Sequence, residues 1–184
     1  MKKNNSLRSS SAAILLCSTL ALSNFPVLAA GDDDHGHGGN IGQAGNAGDV
    51  TRTIEVVMYD NYYEPEEISI NEDETVRFVV KNSGELVHEF NIATAEMHVA
   101  HQPEMLMMME HGVLEPDRIN WEAAEEMRAF MGHGMHEEPN SLFLEPGQEG
   151  EIIWTFPDHA ELEFACNVPG HYDSGMQGPI KLIH

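Results

Sequence analysis

From Thr51 onward, apolar residues recur at every second position in short runs. Ile54, Val56 and Met58 alternate with Thr53, Glu55 and Val57, which is the period of a strand with one buried face. Ile68 and Ile70 repeat the pattern after Pro65, and Val76, Phe78 and Val80 repeat it after the acidic turn Asn71 to Glu74. Asn82-Ser83-Gly84-Glu85 then breaks the chain ahead of Val87-His88-Glu89-Phe90-Asn91-Ile92, where His88 shares a face with Phe90 and Ile92 and therefore points inward. The carboxyl-terminal half repeats the scheme. Pro146-Gly147 leads into Ile152, Trp154 and Phe156, Pro157-Asp158 turns again, Leu162, Phe164 and Cys166 fall on one face, and Ile180 to Ile183 reads as a last strand. Short strands separated by turn signals predict an all-β domain over residues 51–184, an antiparallel β-sandwich with Greek-key connections.

One segment breaks the two-residue period. Residues 93–140 hold eight of the ten Met residues that follow Met1, and within them Asn120-Trp121-Glu122-Ala123-Ala124-Glu125 has the form of a helix start, with Asn as cap and acid in the first turn. Met127 and Met131 would share a face of that helix. The segment is expected to be a partly helical, Met-rich insertion in the sandwich.

The first 50 residues lack strand periodicity. Residues 1–29 read as an export signal: Lys2, Lys3 and Arg8 come first, Ala12 to Leu22 is mostly apolar, and Val27-Leu28-Ala29 offers small residues for cleavage. The apolar stretch is too short to span a bilayer. A lipoprotein signal through Cys17 fits less well, because Leu16 is bulky where such signals want a small residue. Residues 30–50 are Gly, Asp, His and Asn with little apolar content, so a disordered tail is expected. Its His35-Gly36-His37 beside three Asp is either a solvated spacer or a loose Cu(II) or Zn(II) site. Export implies a periplasmic location, and no stable membrane insertion is expected.

Charge narrows the partners. The sequence carries 31 acidic and nine basic residues, a net −22, and loss of the three basic residues of the signal takes it to −25. Such a surface disfavours nucleic acid and anionic lipid, attracts cations, and would steer a redox partner with a basic docking surface. Plain solubility explains it equally well. A monomer is expected.

Cysteine use brings in the chemistry. With Cys17 in the signal, Cys166 has no partner in the exported chain. A buried inert thiol, an intermolecular bridge and a metal thiolate remain open. Cys166, His171 and Met176 stand at five-residue steps with Pro169-Gly170 between, and thiolate, imidazole and thioether together suit mononuclear copper. Zinc fits less well, since Met is not among its usual ligands. His88, facing the core, is either a hydrogen-bonded structural residue or the missing second imidazole.

An isolated inward His followed by a distant Cys-x4-His-x4-Met loop resembles the cupredoxins, the small type 1 copper proteins. The similarity runs from about Thr51 to His184 and is most specific over Asn82 to Phe90, Pro146 to Phe156 and Phe164 to Gly178. It implies His88, Cys166 and His171 as equatorial copper ligands and Met176 as the axial one; from position alone, Asn167 and nearby amides are expected to bond the sulfur. It implies one-electron transfer rather than an enzyme. A dinuclear copper site would need a second Cys where Gly170 stands, and multicopper oxidases need several His-x-His pairs in folded domains. The segment His136 to Asn140 is similar to one in periplasmic cupredoxins linked to copper tolerance.

The insertion keeps two readings open. His101, Met105, Met107, Met108, Met109 and His111 form one cluster, and Met127, Met131, His133, Met135 and His136 another. Flexible thioethers fill gaps in cores. Thioether and imidazole together also favour Cu(I), so His101, Met105, Met108, Met109, His111, Met131, His133, Met135 and His136 are candidate auxiliary copper ligands, as are His35 and His37. On that reading the chain sequesters or delivers copper. A cuprous oxidase activity is a third reading, without a dedicated oxygen site in the sequence.

Overall fold

The structure is a computed structural model that describes residues 40–131, 135 and 138–184. The expected signal, His35, His37, His133 and His136 lie outside the described residues. Among the described residues, ten strands and two α-helices follow one another: β1 (Gln43–Ala44), β2 (Arg52–Tyr59), β3 (Tyr62–Glu64), β4 (Ile68–Asn71), β5 (Thr75–Asn82), β6 (His88–Ala93), α1 (Ala95–Glu110), α2 (Trp121–Met131), β7 (Ser141–Leu144), β8 (Glu149–Thr155), β9 (Leu162–Ala165) and β10 (Gln177–Ile183). They form two five-stranded sheets, ordered β1-β8-β5-β2-β3 and β4-β10-β9-β6-β7. This is the expected β-sandwich with a helical insertion. Two of its ladders are parallel rather than antiparallel, β2 on β5 and β4 on β10, each joined by a crossover connection instead of a hairpin.

The alternating apolar positions meet between the sheets. Phe78 of the first sheet lies 5.5 Å, ring centre to ring centre, from Phe90 of the second, and Tyr63 stands edge-on to Phe164 at 5.0 Å. All four rings are buried, and each such burial contributes roughly 1.5–3 kcal/mol. The Tyr63 hydroxyl donates to the Glu89 carbonyl at 2.6 Å, so the polar end of that ring is satisfied inside the core.

Order begins earlier than the pattern suggested. The expected disordered tail does not reach Thr51, because β1 pairs with β8 and the Trp154 indole donates to the Ile41 carbonyl at 2.9 Å. Gly42 makes the approach: its φ is +101° and a Cβ there would collide with the Thr155 carbonyl. Low apolar content did not prevent ordering, since backbone pairing to an existing sheet edge needs few side chains.

Helix α1 was not legible in the sequence. Thr94 caps it, its hydroxyl accepting from the Met97 amide at 3.3 Å, and Pro103 lies inside it. The second helix begins where expected, with Asn120 Oδ1 accepting from the Ala123 amide at 3.1 Å. The insertion covers the outer face of the second sheet. As a result β6 is buried on both faces, and Glu89 and Asn91, which alternation would place in solvent, lie inside.

Candidate metal centre

Three candidate ligands converge at one end of the sandwich. His88 opens β6, Cys166 follows β9, and His171 lies in the loop that leads to β10. The Nδ1 atoms of His88 and His171 are 3.2 Å apart, and Cys166 Sγ is 3.4 Å from His171 Nδ1 and 3.9 Å from His88 Nδ1. A metal about 2.0 Å from two nitrogens and about 2.3 Å from a sulfur, in their plane, needs edges of roughly 3.5–3.7 Å. The triangle fits within a few tenths of an ångström. Two imidazoles and a thiolate in a plane are the equatorial donors of a mononuclear copper site.

Backbone bonds fix the loop. The Cys166 amide donates to the Met176 carbonyl at 3.1 Å and the Met176 amide to the His171 carbonyl at 3.0 Å, so both residues are tied to Met176. The Met176 side chain is fully buried. Gly170 takes φ +88° immediately before His171, a conformation that costs an L residue strain.

His88 is oriented from behind. His88 Nε2 lies 3.2 Å from Asp60 Oδ1, which assigns the proton to Nε2 and leaves Nδ1 free for a metal. Asp60 Oδ1 also accepts from the Glu85 and Leu86 amides at 2.8 and 3.2 Å. Burial raises its carboxyl pKa, yet His88 and these two amides outweigh that and hold it below the usual value. Asp60 was not anticipated, because it lies 28 residues before His88 on another strand end and carries no local signal.

The amide beside the sulfur comes from Glu89, which donates to Cys166 Sγ at 3.3 Å. Asn167 has a different task from the one expected of its side chain. Its Nδ2 donates to Glu89 Oε2 at 2.8 Å and its backbone amide donates to the same oxygen at 3.1 Å, while its side chain meets His98 Nδ1 and Gln102 of α1. Asn91 and Ser141 donate to the other oxygen of Glu89 at 3.0 and 2.5 Å. A fully buried carboxylate with four donors thus joins the residue after His88 to the residue after Cys166. Helix α1 is tied to that joint.

Burial also sets the protonation of the donors. Burial pushes the Cys166 thiol up to about 12, although the Glu89 amide opposes it, so a thiolate forms there only against a positive partner. Burial and then the neighbouring His88 hold His171 down to about 4. Its ring is neutral, with a free lone pair, at neutral pH.

The insertion donors are not gathered in the same way. Met105, Met108 and Met135 are buried in the core, while Met109 and Met131 are about two-fifths exposed. His111 is exposed and His101 half-buried, 3.1 Å from Glu104. A cavity of about 10 Å³ is lined by Glu89, His101, Glu104, Met108, Met135, Glu138, Ser141 and Phe143, which is room for a single small occupant.

The sandwich with ligands closing over one end defines a cupredoxin-like protein. A family model for the cupredoxin-like domain matches residues 40–98, and auracyanin B superposes with a TM-score of 0.55 at 17% identity over 80% of this chain and 97% of that one. The chain is 44% identical over 156 residues to the copper-resistant cuproprotein CopI of Pseudomonas aeruginosa, covering 79% of this chain and 84% of that protein. It is 32% identical to the CopI of Rubrivivax gelatinosus, over 85% and 88% of the two. The chain belongs to the CopI family of copper-resistant cuproproteins. Among the described residues, no helix is long and apolar enough to cross a membrane.

Proposed function

We propose that this chain is an exported, periplasmic type 1 copper protein that exchanges single electrons in the setting of copper tolerance. The observation that carries the reading is the triangle of His88 Nδ1, His171 Nδ1 and Cys166 Sγ, with edges of 3.2, 3.4 and 3.9 Å. His88, Cys166 and His171, with Met176 as a soft fourth donor, would hold the copper, which would supply the one-electron change. The protein's own contacts gather the three donors. Asp60 orients His88, the Glu89 amide steadies the sulfur, and backbone bonds across the loop keep His171 and Met176 in place.

His171 is also the route to a partner. It is partly exposed and lines a cavity of about 180 Å³ with Leu86, Met109, Leu114, Pro116 and Pro169. A small apolar rim around a ligand edge suits brief docking, and the acidic surface beyond it favours a basic redox partner. The test is metal analysis with visible and paramagnetic resonance spectra on protein purified from the periplasm. One copper with an intense thiolate band supports the reading; zinc without such a band overturns it.

The second reading is copper handling through the insertion. It draws support from the cavity between His101, Met108 and Met135. Extra Cu(I) that is lost on changing Met108 and Met135 to Leu, with the color retained, would favour it over a simple carrier.

A further inference from the structure

Far from the thiolate, another set of donors meets at the opposite end of the second sheet. Glu72 lies in the turn between β4 and β5, His159 in the connection from β8 to β9, and His184 directly after β10. His159 Nδ1 is 2.9 Å from Glu72 Oε1 and His184 Nδ1 is 2.6 Å from Glu72 Oε2. One ligand atom from each of the three lies within 4.8 Å of the others. The two imidazole rings stand 5.6 Å apart at 78°. Strand β10 separates this cluster from Met176, and seven residues at about 3.3 Å each put it roughly 20 Å away.

The backbone that carries these groups is fixed. The Glu72 amide donates to the Ile183 carbonyl at 3.1 Å, extending the β4–β10 ladder to the residue before His184. The Phe156 amide donates to the Glu74 carbonyl at 2.9 Å, which ties the start of the His159 connection to the same turn. Glu72 is largely buried while both imidazoles are exposed. A fixed carboxylate with two rotatable imidazoles can close from the present spacing to metal-bonding distances of about 2.0–2.2 Å with side-chain motion alone.

We propose that Glu72, His159 and His184 form a second metal site, for Cu(II) in preference to Zn(II). Two imidazoles and one carboxylate are borderline and hard donors without sulfur, so Cu(I) is disfavoured and a tetragonal Cu(II) with water in its open positions is the best match. The net charge of the chain concentrates cations around it. Exposure makes this the weaker of two sites, exchanging with free copper while the buried one holds its metal.

The test uses the exported protein with its thiolate site saturated, in a His35→Ala/His37→Ala background that removes the tail donors. Cu(II) is titrated while paramagnetic resonance and the visible band are followed. The expected result is a second, tetragonal signal with nitrogen couplings, one per chain, which Zn(II) displaces only in excess. That signal should vanish in His159→Ala and in Glu72→Gln while the thiolate band stays unchanged, which shows that the fold is intact. A second signal that survives both substitutions, no second signal at all, or displacement by equimolar Zn(II) would overturn the proposal. The thiolate band reads the first site separately, so failure of either assignment is distinguishable.

Discussion

The strand-end cluster and helix α1 both carry imidazole and thioether side chains, and only the first adds a thiolate, yet they are organised in opposite ways. At the strand ends, an imidazole, a thiolate and a second imidazole from separated parts of the chain come within 3.9 Å of one another. On α1, four Met residues within five positions are dispersed: Met105 and Met108 enter the core, Met107 is half-buried and Met109 faces outward. Helical period does this, since adjacent residues point about 100° apart. Density of ligand types along a helix therefore does not by itself bring donors together, whereas converging strand ends and loops do.

The largest test of this contrast is Cys166→Ser. It should abolish the intense visible band outright, whereas Met109→Leu should leave it unaltered; a band that survives Cys166→Ser would remove the thiolate from the site. Next in size are core substitutions measured by chemical denaturation. Phe90→Ala should cost roughly 3–5 kcal/mol and Met105→Ala roughly 2–5 kcal/mol, while Phe130→Ala, at 92% exposure, should stay within about 0.5 kcal/mol. A Met105→Ala cost as small as that of Phe130→Ala would mean that α1 is not part of the core.

Asp60→Asn should weaken copper binding roughly 10- to 100-fold, as loss of a ligand's orienting partner does elsewhere. Competition titration against a copper chelator measures it, and unchanged affinity would show that His88 needs no such support.

A smaller effect separates the two regions by protonation in the metal-free protein. His171 is held down to about 4 by burial and by His88. Burial also pushes His101 down, but its bond to Glu104 and the charges of Glu89, Glu104 and Glu138 outweigh it and leave its pKa raised. An unfolded chain binds a proton near 6.5 at either position. Between about 6.5 and 4 the unfolded state therefore holds more protons at residue 171, and stability falls as pH falls through that window. The His101 contribution has the opposite sign: it is present below 6.5 and lost as pH rises through its raised value. Proton resonance titration of the two rings checks both, and a His171 midpoint at or above that of His101 would contradict the structure.

Most of the sandwich was legible because one face of each strand is buried and the period of two survives in the sequence. β2, β4, β5, β6, β8, β9 and β10 all follow such runs. β1 and β3 did not announce themselves, being two and three residues long, too short for a period to register, and β7 did not because Leu142, Phe143 and Leu144 are apolar in a row without alternation. α1 was missed for a different reason. Its Met, Leu and Val residues are distributed around the whole helix, with Val99 and Leu106 exposed while Met105 and Met108 are buried, so no apolar stripe marks it.

The sequence by itself determined the strand faces, the inward direction of His88 and Cys166, the tight loop from Cys166 to Met176 and the Asn120 cap, all of which depend on neighbours a few residues apart. Only the tertiary structure decided that Asp60 backs His88, that Glu89 is buried and joins the residues beside two candidate ligands, that residues 43–44 extend a sheet, and that Glu72, His159 and His184 meet. Those contacts link positions from 25 to more than 100 residues apart. Nothing in local propensity encodes such a separation; the packing of one sheet against another, and of an insertion over the outer face, brings them together.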